Sequence, residues 1–209
     1  MDIQFYGANC LVVSHKATRI VIDDNLADLG KKPVVKPEDV ALYTMNESPN
    51  TKARLSFNGP GEYEVGDISI VGISAKPFMN DDSKRKVTMY KLISSDINML
   101  VVGHILGELS AKELEQIGSV DILFVPIGDN GYTLDAQGVL KLIKDIEPKI
   151  IVPTHYKLPG FKYPVDQVDL AVALKELGME VKETLNKLKI KAVDLADVTQ
   201  LIVLEGLSS

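Results

Sequence analysis

The chain has 209 residues, of which 45% are hydrophobic and 25% are charged, as is typical of a soluble globular protein with one sizeable core. A net charge of -6 and a pI of about 5.1 argue against a broad nucleic-acid or anionic-membrane surface, because such surfaces need clustered Lys and Arg. A single cysteine, Cys10, excludes an internal disulfide and a cysteine-based zinc cluster. The sequence shows neither a signal-peptide pattern nor an apolar run of about 18 residues, so we expect a cytoplasmic protein without a membrane span.

The first half of the chain is rich in strand patterns. A turn is predicted at residues 58–64, where Gly59, Pro60 and Gly61 cluster, and a polar loop is predicted at residues 79–86. Short apolar or alternating runs predict strands at residues 3–6, 10–13, 19–23, 40–44, 67–73, 87–93 and 98–102.

The second half alternates helix and strand patterns. Ser110 followed by Glu113 is a capping-box pattern and predicts a helix start, and further helices are predicted at 135–146 and 165–177. Strands are predicted between and after these helices, at residues 121–126, 150–152, 180–183 and 199–204. Strands followed by alternating helices and strands predict a single α/β domain over residues 1–209, with two sheets face to face and helices outside.

Two histidines follow predicted strands and are therefore candidates for a site at a strand edge. His155 ends the strand that begins near residue 150, and His104 follows the strand near residue 100. Each could equally serve as a hydrogen-bonding residue without any catalytic role. His15 falls in a predicted hairpin turn and is expected to face solvent, and Cys10 is expected to be a small core residue because no positive neighbour activates it.

The chain resembles the metallo-β-lactamase superfamily, in its lactonase-like and uncharacterised zinc-hydrolase branch. The resemblance covers nearly the whole chain and rests mainly on the Gly-Pro-Gly-Glu-Tyr-Glu run at 59–64 and on the Pro-Thr-His-Tyr run at 153–156. The segments at 3–8, 22–23, 109–118, 120–128 and 147–152 also contribute. The resemblance implies a four-layer αβ/βα sandwich, classed as α/β or by some schemes α+β, with metals at one edge.

The resemblance also shows which metal ligands this sequence lacks. The family's principal motif, Thr-His-x-His-x-Asp-His, aligns with Thr-Met-Asn-Glu-Ser-Pro-Asn at residues 44–50, so Thr44 alone is kept and Asn50 replaces the last histidine. Met45 and Pro49 cannot serve a hard two-metal site. A further family histidine falls near Lys76 and is also absent.

The family's metal-bridging aspartate aligns with His104 in a gapless register, which we prefer, or with Glu108 in a register shifted by four residues. The final family histidine is kept as His155. The candidate cleft therefore comprises Asp23, Glu47, Asn50, His104, Glu108 and His155, of which His104 and His155 are the candidate metal ligands.

Three histidines in the whole chain cannot supply the ligands of two-metal hydrolysis, so we expect a degenerate metal site with no cofactor. The alternative is one zinc, manganese or iron ion held by His104, His155 and a carboxylate such as Asp23, Glu47 or Glu108.

Three functions follow from these expectations. The first is a pseudoenzyme: a non-hydrolytic binding or assembly protein whose partner is a small molecule or a protein, with no role for membrane or nucleic acid. The second is a residual mononuclear hydrolase acting on an ester, lactone or phosphodiester. The third is a domain that binds a small molecule or nucleotide in the former active-site cleft. A homo-oligomer is the default expectation for its assembly.

Overall fold

The computed structural model describes residues 1–45, 52–78 and 87–207. Three α-helices are present in these residues, α1 (Ala111–Ile117), α2 (Ala136–Ile146) and α3 (Leu170–Leu177), with a 3₁₀ turn at Ala192–Asp194. The strands, in chain order, are β1 Asp2–Gly7, β2 Cys10–His15, β3 Thr18–Ile22, β4 Val40–Leu42, β5 Leu55–Phe57, β6 Gly61–Val65, β7 Ile68–Ala75, β8 Val87–Ser94, β9 Ile97–Val101, β10 Ile122–Pro126, β11 Ile150–Thr154, β12 Val181–Leu185, β13 Leu188–Lys189 and β14 Gln200–Leu204.

The strands form two sheets, which confirms the predicted α/β sandwich. One sheet has the order β13-β1-β2-β3-β4-β5, and the other has the order β12-β14-β11-β10-β9-β8-β7-β6. Side chains from both sheets form one continuous core; Phe5 and Leu11 of the first sheet are fully buried in the same cluster as Leu92 and Phe124 of the second. The alternation of polar and apolar residues along β1 matches its alternating burial, because successive side chains point to opposite faces of a sheet.

The outer face of the six-stranded sheet has its own small core. Cys10, Val12 and Val21 point to this face and pack with Leu26. Partly buried side chains from neighbouring loops, including Phe161, cover the cluster. Burial raises the pKa of the Cys10 thiol well above its ordinary value, and the nearby Asp24 and Asp23 carboxylates add to the shift. Cys10 is therefore a buried core residue, as the sequence predicts.

The helices pack on the eight-stranded sheet, with Ile117, Val139, Leu142 and Leu177 buried in the main core. Strands β9, β10 and β11 are parallel neighbours, so α1 and α2 are the crossover helices that connect them. None of the helices in the part of the chain that the structure describes is long and apolar enough to cross a bilayer.

Some predicted elements differ from the structure. The segment predicted as a turn, residues 58–64, continues into strand β6, an edge strand whose glutamates Glu62 and Glu64 are exposed. The loop predicted at 79–86 lies outside the described residues. The short strands β5 and β13 were not predicted. The helix predicted at 165–177 begins only after Asp169, because residues 165–168 bond elsewhere: Val168 donates its N–H to Gly128 O and accepts from Lys157 N.

The capping box predicted at Ser110 is present. Ser110 Oγ accepts from the Glu113 N–H at 3.3 Å, and Glu113 Oε2 accepts from the Ser110 N–H at 2.6 Å. We expect Ser110→Ala to lower the free energy of unfolding by about 1 kcal/mol, because a helix N–H loses its partner. Urea denaturation measures this change, and an unchanged midpoint in both Ser110→Ala and Glu113→Ala would show that the cap contributes nothing.

Candidate functional site

The candidate site lies where parallel strands end. Asp23 follows β3 and Thr44 lies just beyond β4, and these two strands are parallel. His104 lies three residues beyond β9, and His155 immediately follows β11, in the parallel part of the other sheet. The carboxyl ends of parallel strands are the usual place for ligand sites in α/β proteins.

A cavity of about 490 Å³ opens at this edge, within the size range of small-molecule sites. Three of the residues singled out from the sequence, Asp23, His104 and His155, line it together. Thr44 and Met45, at the start of the degenerate motif, also line it. The two sheets therefore bring the sequence candidates to one cleft.

The backbone of His155 is held in an unusual conformation. Its φ of +54° lies in the left-handed region, which is uncommon for a residue other than glycine and tends to occur at functional sites. The His155 N–H donates to Ala8 O at 2.7 Å, and the preceding strand is buried throughout. These contacts fix the direction in which the imidazole enters the cleft.

The imidazole of His155 is buried and has a defined tautomer. Its Nδ1 lies 2.9 Å from Gln167 Oε1, while Gln167 Nε2 donates to Val165 O at 2.7 Å. A backbone carbonyl can only accept, so the Gln167 amide nitrogen faces Val165 and its oxygen accepts from His155 Nδ1–H. The Nε2 atom of the neutral ring therefore carries the lone pair.

Burial also lowers the pKa of His155 to about 4, although the hydrogen bond to Gln167 acts in the opposite direction. At neutral pH the His155 ring is therefore uncharged. A neutral imidazole with Nδ1–H anchored is the form that can accept a hydrogen bond or bind a metal through Nε2.

His104 lies beside His155, with the two ring centroids 4.8 Å apart in an edge-to-face arrangement. Its Nδ1 is 3.4 Å from Asn9 Nδ2, and Asn9 Oδ1 accepts from the Thr154 hydroxyl at 2.9 Å. Tyr132 contacts both imidazoles, at centroid distances of 5.0 and 5.5 Å. The two histidines therefore belong to an aromatic cluster.

The Asp23 carboxylate accepts hydrogen bonds from within the protein. Its Oδ1 accepts from the Thr44 N–H at 2.7 Å, and its Oδ2 accepts from the Thr44 hydroxyl at 2.6 Å. This pair joins the ends of β3 and β4. Burial, with the Asp23 charge as a second cause, raises the pKa of Tyr90. Asp23 thus places negative charge at the cleft while its oxygens accept hydrogen bonds from Thr44.

The remaining sequence candidates lie elsewhere or outside the described residues. Glu108 is exposed and does not line the cavity, whereas His104 does. His15 is partly exposed at the end of β2, with its Nε2 3.1 Å from Ser95 Oγ. Glu47 and Asn50 lie outside the described residues.

The described side chains at the cleft do not fit a two-metal centre. Across residues 1–45, 52–78 and 87–207, no three His, Cys, Asp or Glu side chains are grouped so that they could hold a metal ion. The described imidazole and carboxylate side chains that line the cleft are those of His104, His155, Asp23 and Asp28, and Asp23 accepts two hydrogen bonds from Thr44. Two cations would need several more ligands than these.

Sequence reasoning missed four residues of this site: Asn9, Tyr132, Tyr163 and Gln167. Tyr163 packs 5.6 Å from His155, and its hydroxyl donates to Tyr156 O at 3.0 Å. No local pattern marks these residues, because each reaches the cleft from a loop through long-range folding. Gly128 is the one indirect signal, since a Cβ there would collide with Gln167 Oε1 and His155 O.

Comparison with known sequences agrees with this architecture. A family model described as "Beta-lactamase superfamily domain" matches residues 2–155. A "UPF0173 metal-dependent hydrolase" of Lysinibacillus sphaericus is 25% identical over 169 residues, covering 72% of each protein. Relatives with the same description from Carboxydothermus hydrogenoformans and Archaeoglobus fulgidus are 47% identical over 45 residues and 27% identical over 129 residues. Those two matches cover 22% and 60% of this chain, but only 20% and 48% of the relatives.

Solved structures show the same fold. A Thermotoga maritima protein of the metallo-beta-lactamase superfamily superposes with a TM-score of 0.77 at 21% identity, covering 97% of each chain. An isothiocyanate hydrolase from Delia radicum gut bacteria superposes with a TM-score of 0.65 at 11% identity, covering 99% of this chain and 97% of the other. At such identities the likeness concerns the fold alone.

Proposed function

This chain belongs to the beta-lactamase superfamily, and from that premise we propose that it is a non-hydrolytic member that binds a small molecule in the cleft at the strand ends. The observation that carries this proposal is the donor set. His104 and His155 lie edge to face at the edge where the resemblance places the family's metals. Of the two described carboxylates that line the cleft, Asp23 and Asp28, Asp23 accepts two hydrogen bonds from Thr44.

The cleft keeps what binding requires. It has the volume of a small-molecule site, aromatic walls and a buried hydrogen-bond acceptor whose orientation is fixed. The His155–Gln167–Val165 chain of hydrogen bonds holds that acceptor in place, so little ordering would be needed when a ligand binds. Binding therefore requires no group that the sequence has lost.

A comparison of the native protein with His155→Asn tests the proposal. Asparagine tolerates the left-handed backbone and can still donate to Gln167, but it lacks the Nε2 acceptor. A thermal-shift screen of metabolites should find a compound that raises the midpoint of the native protein and not that of the variant. Zinc-dependent hydrolysis of an ester, lactone or phosphodiester that His155→Asn abolishes would contradict the proposal.

The second candidate function is a residual mononuclear hydrolase, and the description of its relatives as metal-dependent hydrolases favours it. One ion would be held by His104 and His155 with a carboxylate from Asp23 or from Glu47, which lies outside the described residues. A bound zinc ion would supply a water that ionises near neutral pH. Under this candidate, His155→Asn would lose retained metal and turnover together, whereas His15→Asn would keep both.

Other sequence-based expectations stay predictions. They are the location in the cytoplasm, the absence of a nucleic-acid partner, assembly as a homo-oligomer and the organisation of residues 1–209 as a single domain.

A further inference from the structure

We propose that the ligand of the cleft carries a small organic cation, an amidinium, guanidinium or ammonium group, that donates a hydrogen bond to His155. This inference rests on the proposed function, because it names the chemical class of ligand for the same cleft. Three features of the described residues support it: the direction of the hydrogen bond at His155, the aromatic walls and the balance of charge.

A buried polar group of the cleft, the imidazole of His155, presents a hydrogen-bond acceptor. Gln167 accepts from His155 Nδ1 and is itself fixed by its bond to Val165 O, so the His155 ring presents a lone pair at Nε2. A ligand group that approaches this atom must donate a hydrogen bond to it. Amidinium, guanidinium and ammonium groups carry donors and no acceptors, so they match this requirement.

Aromatic rings surround the same acceptor. The ring centroids of Tyr132 and Tyr163 lie 5.5 and 5.6 Å from that of His155, and all three residues line the cavity. The Tyr163 hydroxyl is committed to Tyr156 O, so Tyr163 contributes its ring rather than a polar group. Aromatic faces attract cations through their quadrupole, and the attraction grows when the cation is removed from water.

The charges around the cleft favour a cation over an anion. The carboxylates of Asp23 and Asp28 line it, against the single cationic side chain of Lys162 among the described lining residues. The chain as a whole carries a net charge of -6, which raises the local concentration of cations near the surface. An anionic ligand would be repelled by both carboxylates, and His155 Nε2 would give it no hydrogen-bond donor.

Benzamidine, benzamide and benzoate form a matched probe series, since they share one ring and differ in the charge and donors of the head group. Isothermal titration calorimetry of the native protein at low ionic strength should show that benzamidine binds at least about tenfold more tightly than benzamide. Benzoate should bind more weakly than either. Asp28→Asn should reduce the preference for benzamidine, because it removes one rim carboxylate, whereas Asp145→Asn on the exposed face of α2 should leave it unchanged.

The outcomes separate failure of the ligand class from failure of the proposed function. If benzamide or benzoate binds as tightly as benzamidine or more tightly, and this binding is lost in His155→Asn, the cationic ligand class would be wrong, while the proposal of a ligand site at the cleft would stand. Benzamidine binding that persists unchanged in His155→Asn would overturn the inference, because the cation would then lie elsewhere. Absence of binding by all three probes would also overturn it. Zinc-dependent turnover lost in His155→Asn would remove the proposed function itself.

Discussion

Acid should destabilise the native protein by about 3 kcal/mol more than it destabilises the His155→Asn variant. The pKa of His155 is 6.5 when unperturbed and about 4 in the folded protein, because burial opposes the charged ring. As the pH falls from 6.5 towards 4, His155 therefore binds a proton in the unfolded chain but stays unprotonated in the folded chain. The contribution of the neutral His155 ring to the free energy of unfolding is fully present above pH 6.5 and is lost as the pH falls across this window. A pKa shift of this size corresponds to about 3 kcal/mol.

Urea denaturation at several pH values between 4 and 6.5 measures this difference. His15→Asn is the matched control, because it makes the same substitution at a partly exposed histidine that does not line the cleft. If His155→Asn and the native protein lose stability in parallel over this range, the folded protein must accommodate a charged imidazole, and the neutral acceptor assigned to His155 would be wrong.

Gly128→Ala should destabilise the protein by about 3 kcal/mol and disrupt the cleft at the same time. A Cβ at Gly128 would lie under 3.0 Å from both Gln167 Oε1 and His155 O. The amide of Gln167 could turn away, but the backbone oxygen of His155 can move only if the end of β11 moves with it. Either adjustment breaks the hydrogen bond that fixes the His155 tautomer.

Gly59→Ala is the control for that substitution, since a Cβ at Gly59 meets nothing within 4 Å. The free energy of unfolding from urea titration reports the loss of stability, and the chemical shifts of the His155 ring report the disruption of the site. A Gly128→Ala variant with native stability and an unchanged His155 tautomer would show that the contact between Gly128 and Gln167 does not position the imidazole.

The fold was largely predictable because its strands and helices follow local patterns. The buried run at β10, the amphipathic α2 and the capping box at Ser110 each depend on nearby residues. The start of α3 was not predictable in this way. Residues 165–168 were assigned to it, but the structure uses Gln167 and Val168 to bond with His155 and Gly128, which are close only in the folded chain.

The candidate site was predictable only in part, for a related reason. His104 and His155 could be found because histidines that follow buried strands reach the same sheet edge. The commitment of Asp23 to Thr44 could not be foreseen, since two residues on different strands must first be brought together. Tyr132 and Tyr163, which complete the aromatic wall, lie on loops without a recognisable pattern.

Elemental analysis of protein purified without chelator, grown with added zinc, manganese and iron and then dialysed, tests the central claim most directly. The account predicts that the native chain retains no stoichiometric metal and matches His155→Asn in metal content. One or two ions per chain that survive dialysis and disappear in His155→Asn would contradict it, since His104 and His155 would then act as ligands in a metal centre.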